Sequence, residues 1–517
     1  MARRAIPVKK WPGMVAAAIV AALILGTLLA VALRAEAGRG LGPSEWAAIR
    51  FTFWQAVLSA TLSVALAIPV ARALSRRQFP GRHLLVTLLG APFILPVIVA
   101  VLGLLAVFGR SGVLNEILRW LGLPEVQIYG LHGVVLAHVF FNLPLATRLI
   151  LMGWQQVPSE RFRLAAQLDF GPREMWRVIE APLLRRVVPS ALAVIFAICL
   201  SSFAVALTVG GGPRATTVEL AIYQAFRFDF DLGRAALLSC VQLLLVGTAA
   251  FVALRLSGTD SFGTGLDRVV KRWDAGGLTR IALDSFAICG ATIFLILPLS
   301  MVVWDGMFGV LQMPAQVWKA AGVSLVVALA STLLMLGFAL PIAIAAGGRQ
   351  SWIEMVGLLG VAASPLVIGT GLFIVIFPIA DPFAVAFPVT ALVNAVMALP
   401  FALRILVGPV RDVIQNYGHL SHSLNVTGRH WLLLILLPRI RSVLGFACGL
   451  TAALSMGDLG VIALFADPET ATLPLQMYRL MGAYRIDAAS GAGLLLLCLS
   501  FGLFWLFDKG GRGRADT

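Results

Sequence analysis

The stretch LPLATRLILMGWQQVPSERFRLAAQLDFGPREMWRVIEAPLLRRVVPSA (143–191) comes back without a gap as LPFALRILVGPVRDVIQNYGHLSHSLNVTGRHWLLLILLPRIRSVLGFA (399–447), 256 residues further along. Pro144, Arg148, Leu164, Leu168, Arg173, Pro182 and Arg185 meet identical residues at Pro400, Arg404, Leu420, Leu424, Arg429, Pro438 and Arg441. Shared hydrophobicity does not match proline to proline or arginine to arginine. The halves 1–256 and 257–517 therefore read as a duplication of one unit, in the same order twice.

Outward from these copies lie apolar runs of about 20 residues, the length an α-helix needs to cross a bilayer. Twelve spans are expected, at 13–33, 51–74, 84–108, 131–152, 187–209, 235–254, 281–303, 320–346, 355–379, 387–407, 443–464 and 490–507. The chain is 59% hydrophobic, 13% charged and has a mean hydropathy of +0.92, whereas a soluble domain carries about 25% charged residues. A backbone in lipid must satisfy its own hydrogen bonds. The fold class expected is thus an all-α polytopic membrane protein, two parallel six-helix repeats related by an axis along the membrane normal.

An even number of spans puts both termini on one side. With the N-terminus on that side, 27 Lys and Arg fall there and 11 on the other. Basic residues hold the cytoplasmic side, so both termini are expected in the cytoplasm. The same rule accounts for the net charge of +15. No nucleic-acid partner is needed, since no basic run is interleaved with aromatics. The layout expected is a tail and first span (1–48), core repeat 1 (49–256), a polar cytoplasmic linker (257–280), span 7 with an outer loop (281–318), core repeat 2 (319–508) and a tail (509–517). The first span has a basic flank, MARRAIPVKK, and Ala35-Glu36-Ala37 looks like a cleavage site. Its apolar run is longer than a usual signal peptide's, which favours a retained span.

Motifs for chemistry are missing. Cys199, Cys240, Cys289, Cys448 and Cys498 are scattered through apolar runs with no CxxC, and read as packing residues. His419 and His422 lie three apart on a loop but have no further metal ligand nearby. No metal site and no catalytic residue is expected. There is no GxxxxGK[ST], and none of the lysines (9, 10, 271, 319, 509) follows a glycine. Without a phosphate-cradling loop the chain binds no ATP-Mg itself, so energy must come from elsewhere.

The long inner loops, 153–186 and 408–442, are the duplicated ones. In the first, Pro158-Ser159-Glu160 opens a helix with a capping serine and an acid in its first turn. Phe162, Ala165, Ala166 and Asp169 share one face, and Leu164 and Leu168 another. Gly171-Pro172 restarts a second helix that runs to Pro182. The second loop is expected to repeat the plan, with Leu420 and Leu424 as the pair, Ser421 and His422 between them, Asn425, then Thr427-Gly428 as the break. Two short helices held by a span at each end make a rigid knob that can receive force. The alternative is a solvated loop.

These loops resemble the EAA loops of binding-protein-dependent ABC importer permeases (type I, MetI-like), in which E-A-A-x-x-L-G is followed by twelve residues and then a proline. Here the pattern falls on 163–169 with Pro182 and on 419–425 with Pro438. Arg163 and His419 replace the glutamate, and Asp169 and Asn425 replace the glycine. Asp and Asn are the residues after glycine that best tolerate a left-handed backbone, so the turn can survive. The stretches 50–82, 91–115 and 208–238 further resemble the fused permeases of thiamine and thiamine-pyrophosphate importers.

That resemblance implies two copies of a cytoplasmic ATPase carrying the ATP-Mg, a periplasmic substrate-binding protein, and a bacterial inner-membrane location. The knobs (159–180 and 415–436) would dock the ATPases, through Phe162, Leu164, Ala165, Ala166, Leu168, Asp169 and Gly171 in one and Leu420, Ser421, His422, Leu424, Asn425 and Gly428 in the other. Ferric iron and polyamine permeases of the same family are rival readings. An ion-coupled carrier of twelve spans is the different-class alternative, for which Asp284 and Asp458 are the deep acids. Candidate path residues are Asn142, Ser201, Ser202, Asn394, Ser455 and Asp458. Each can line a path or simply bond between helices, and Asp458 can equally be a helix-end residue.

Overall fold

The computed structural model describes residues 10–36, 38, 40–90, 94–212, 215–256, 276–347, 353, 356–357, 359–360, 363–466 and 471–512, and no strand occurs among them. The first half contains α1 (Trp11–Arg34), α2 (Pro43–Arg76), α3 (Arg82–Leu88), α4 (Val97–Phe108), α5 (Val113–Trp120), α6 (Leu131–Gln155), α7 (Ser159–Gln167), α8 (Pro172–Met175), α9 (Ala181–Leu200), α10 (Phe203–Val209), α11 (Val218–Arg227) and α12 (Leu232–Leu256). The second contains α13 (Leu278–Gly309), α14 (Ala315–Gly347), α15 (Pro365–Ile376), α16 (Ala386–Ser423), α17 (Gly428–His430), α18 (Leu437–Met456), α19 (Gly460–Phe465), α20 (Leu473–Gly482) and α21 (Ile486–Arg512). Most of the expected linker, the basic flank before residue 10 and part of the ninth expected span lie outside the described residues.

Among the described residues, eleven helical stretches are long and apolar enough to cross a membrane. At the ninth expected span the described helix is α15, with 12 residues, or about 18 Å of rise. Three expected spans differ in continuity. The third divides into α3 and α4, and Pro96 opens α4. The fifth breaks at Ser201-Ser202 between α9 and α10, and the eleventh at Gly457-Asp458-Leu459 between α18 and α19. The last two breaks correspond at the 256-residue offset, so they belong to the duplicated unit.

The first span of each repeat packs on both halves, α1 on α12 of its own half and α13 on α21 of its own. Helix α1 packs on α14 and α15 of the second half, and α13 packs on α2 and α4 of the first. Small residues allow this, as is usual between helices in lipid. Gly103 of α4 lies against the backbone of Pro298, leaving no room for a Cβ, and Gly13 meets Pro341 in the same way. An ion cluster adds to the α13 contact. Arg76 pairs with Asp284, and its Nε and that of Arg77 donate to Asp284 Oδ2 at 2.8 and 2.7 Å. Asp284 is thus a clamp between the end of α2 and the start of α13, not an uncommitted intramembrane acid.

Candidate functional site

The two knobs begin differently. In the first, Pro158 has no N–H for a continuing helix, and α6 and α7 are separate. The matching residue in the second half is Ile414, and α16 runs unbroken for 38 residues into the knob. The expected separate first helix is therefore the end of a span. From there the copies converge. Asp169 and Asn425 adopt φ of 51° and 53°. Phe170 N–H bonds to Ala165 O at 3.0 Å and Asp169 N–H to Ala166 O at 3.2 Å; Val426 to Ser421 and Asn425 to His422 repeat this at 2.8 and 3.1 Å. Each is a Schellman cap with Asp or Asn in glycine's place. A π-helical turn follows in both, Trp176–Glu180 and Trp431–Leu436.

The candidate docking residues divide by burial. Phe162 and Ala165 turn inward with Val157 and Met175 as a small separate core. Ser421 is buried and donates to Gly418 O at 2.8 Å. What faces outward is the leucine pair: Leu164 and Leu168 are 56% and 67% exposed, Leu420 and Leu424 56% and 64%. Ala166, Asp169, His422, Asn425 and Gly428 are exposed beside them, and Gly171 is half-buried. Two knobs built from different entrances thus present near-identical apolar tips. They attach differently. Arg72 of α2 pairs with buried Glu180 at 2.8 Å and its guanidinium lies over Trp176, whereas Leu436, at the position matching Glu180, packs in an apolar core with Ile344.

Inside the bundle the candidate path residues sit in two matched polar clusters. In the second half Asn394 Nδ2 donates to Ser455 Oγ at 3.0 Å, and Ser455 Oγ shares a bond with Ser331 Oγ at 2.9 Å. In the first, the equivalents of Asn394 and Ser455 are His138 and Cys199. His138 Nδ1 bonds Ser59 Oγ at 3.2 Å, and Asn142 Nδ2 donates to His138 O and Cys199 Sγ at 2.9 and 3.3 Å. Ser201 and Ser202 follow at the α9–α10 break, half-buried. Asp458, at the matching break, uses Oδ1 to accept Gly460 N–H at 3.2 Å, capping α19; among the described residues Oδ2 has no hydrogen-bond partner.

No family model matches the chain. It is 37% identical over 522 residues to a thiamine transport system permease protein of Brucella abortus, covering 98% of this chain and 96% of that one. The corresponding protein of Salmonella typhimurium is 38% identical, with 96% of each chain covered. The chain belongs to the thiamine transport system permease family. A sulfate transport system permease protein of Helicosporidium is 26% identical over 204 residues, 39% of this chain. As a member of this family the chain is a multi-pass membrane protein of the bacterial inner membrane and a transport component.

Several site residues escaped the sequence reading. Thr52, Gln55, Ser59 and Ser63 form a buried stripe on α2, at the i, i+3, i+7, i+11 spacing that could have revealed it. Thr52 Oγ1 accepts Val218 N–H at 2.8 Å, and Ser324 of α14 repeats this with Leu473 N–H at 2.7 Å. Glu219 of α11, between two spans, also escaped notice. It is 1% exposed, accepts from Gln242 Nε2 at 3.1 Å, and burial raises its pKa to about 7.

Proposed function

We propose that this chain is the membrane-spanning permease of an ATP-driven importer that brings thiamine and thiamine phosphates across the inner membrane. The observation that carries this reading is the full-length likeness to thiamine transport permeases. Two identical cytoplasmic ATPases, which hold the ATP-Mg, dock on the knobs by closing over Leu164–Leu168 and Leu420–Leu424. The equal exposure of the two tips supports identical partners. Both termini then face the cytoplasm, in line with the 27 to 11 distribution of basic residues.

On the other side a loaded periplasmic binding protein docks on the outer loops, 210–234 and 465–489. ATP binding draws the knobs together and turns the bundle outward-open; hydrolysis returns it. Asn142, Ser201, Ser202, Asn394, Ser455 and Asp458 line or brace the path. Asp284, bound to two arginines, leaves the ion-coupled alternative with one fewer acid.

Uptake by proteoliposomes containing the chain, its ATPase and its binding protein tests the reading, with thiamine, ferric iron and a polyamine offered in turn. ATP-dependent thiamine uptake is expected. Uptake of iron or polyamine without thiamine would replace the cargo, and accumulation driven by an ion gradient with the chain alone would overturn the whole reading.

A further inference from the structure

Phenylalanine rings bridge the two halves at the end of the bundle opposite the knobs. The topology puts them there. Helix α11 joins α9–α10, rising from the first knob, to the returning α12; α15 ends just before α16 sets out for the second knob; α19 ends the rise from that knob. Phe226 of α11 and Phe373 of α15 meet edge to face, with centroids 4.3 Å apart and planes at 88°. Phe465, the last residue of α19, closes on Phe373 at 5.5 Å. These three rings are 2%, 0% and 0% exposed. Outside them Phe377 stacks on Phe373 at 5.7 Å, and Phe230 spans Phe226 and Phe377 at 6.5 and 5.9 Å. Phe377 and Phe230 are 48% and 53% exposed, so the cluster runs from the buried interior to the surface.

The matching seam on the other side of the pseudo-twofold axis is different. Aligning Pro96 with Pro365 sets Leu104 against Phe373; aligning Thr217 with Thr472 sets Met481 against Phe226; the 256-residue offset sets Val209 against Phe465. All three buried rings thus answer to side chains without a ring. Ordinary packing of a duplicated bundle gives no reason for aromatics to collect at one seam. Broad rings in edge-to-face contact shield a large area from water, and they part along flat faces rather than by withdrawing interlocked methyl groups.

We propose that Phe226, Phe373 and Phe465 are the seal that closes the outer end of the path, and that the outward-open form arises by parting this one seam. The proposal rests on the transport reading above. The test places Phe226→Cys and Phe373→Cys in a protein whose native cysteines, Cys199, Cys240, Cys289, Cys448 and Cys498, have been replaced. The complex with ATPase and binding protein is treated with a short bifunctional thiol reagent, with and without ATP and vanadate.

Efficient cross-linking without nucleotide is expected, falling several-fold in the trapped state, together with uptake that the cross-link blocks. A yield indifferent to nucleotide, or full uptake by the cross-linked protein, overturns the seal. Nucleotide-dependent cross-linking in a complex that moves no thiamine would uphold the seal and sink the cargo instead. A Phe226→Met, Phe373→Leu variant, which copies the matching seam, gives an independent reading. It should raise ATP hydrolysis in the absence of binding protein several-fold, and an unchanged rate counts against the seal.

Discussion

Asn425 holds φ of 53° where the family motif has glycine. A left-handed backbone costs a non-glycine residue about 1–2 kcal/mol, least for Asn and Asp. Asn425→Gly should therefore hold the stability or raise it by up to about 1 kcal/mol, whereas Asn425→Val should lower it and increase protease cutting of the second knob; equal thermal midpoints of the two would refute the cap. The turn was legible in the sequence because the constraint is local: the residue types that tolerate the conformation are few. Glu219 was not legible, since its burial depends on α12 and on the second half. Its carboxyl keeps its proton up to about pH 7, against an unfolded pKa near 4.5. The folded chain thus holds a proton that the unfolded chain releases between those values, and this contribution to stability falls as pH rises through the window. Glu219→Gln should flatten the fall in thermal midpoint between pH 5 and 8; an identical slope in both proteins would remove Glu219 from the account.

At the scale of elements, each knob has a buried inner face and an exposed outer one. Phe162 holds the first knob together, so Phe162→Ala should cost about 3–5 kcal/mol locally and expose 157–180 to protease. Ala166→Glu and His422→Glu, on the exposed faces, should instead leave the fold intact and release the ATPase from membranes; unchanged co-purification of both would count against docking there. The spacing of Leu164–Leu168 and Leu420–Leu424 announced a shared face, and both pairs are exposed. The sequence did not announce that α16 enters its knob unbroken, although Ile414 in place of proline was there to be read. The breaks after Leu200 and Met456 were also hidden. An apolar run of 20 residues looks the same whether continuous or broken, and only the fold brings Gly457, at the second break, against Pro96.

For the whole molecule, the consequence of first spans that pack on both halves is that each half buries part of its surface against the other. Helix α13 reaches α4 only because Gly103 has no side chain. Gly103→Leu should push the two apart and lower the amount of folded protein in membranes, while Gly26→Leu, at a position with open space, should be tolerated. Equal yields would mean that the close approach is not needed.

Twelve apolar runs, the 256-residue repeat and the two knobs are properties of residue order. Each depends on contacts within about a helical turn or on the cost of exposing backbone to lipid, and so could be read directly. Other features arise only when distant segments meet: which helices pack between halves, that Asp284 belongs to Arg76 and Arg77, that His138 meets Ser59, and that three rings gather at one seam. In lipid, apolar side chains gain nothing from leaving their solvent. Partner choice there falls to shape and to a few polar bonds, and neither is written in hydrophobicity.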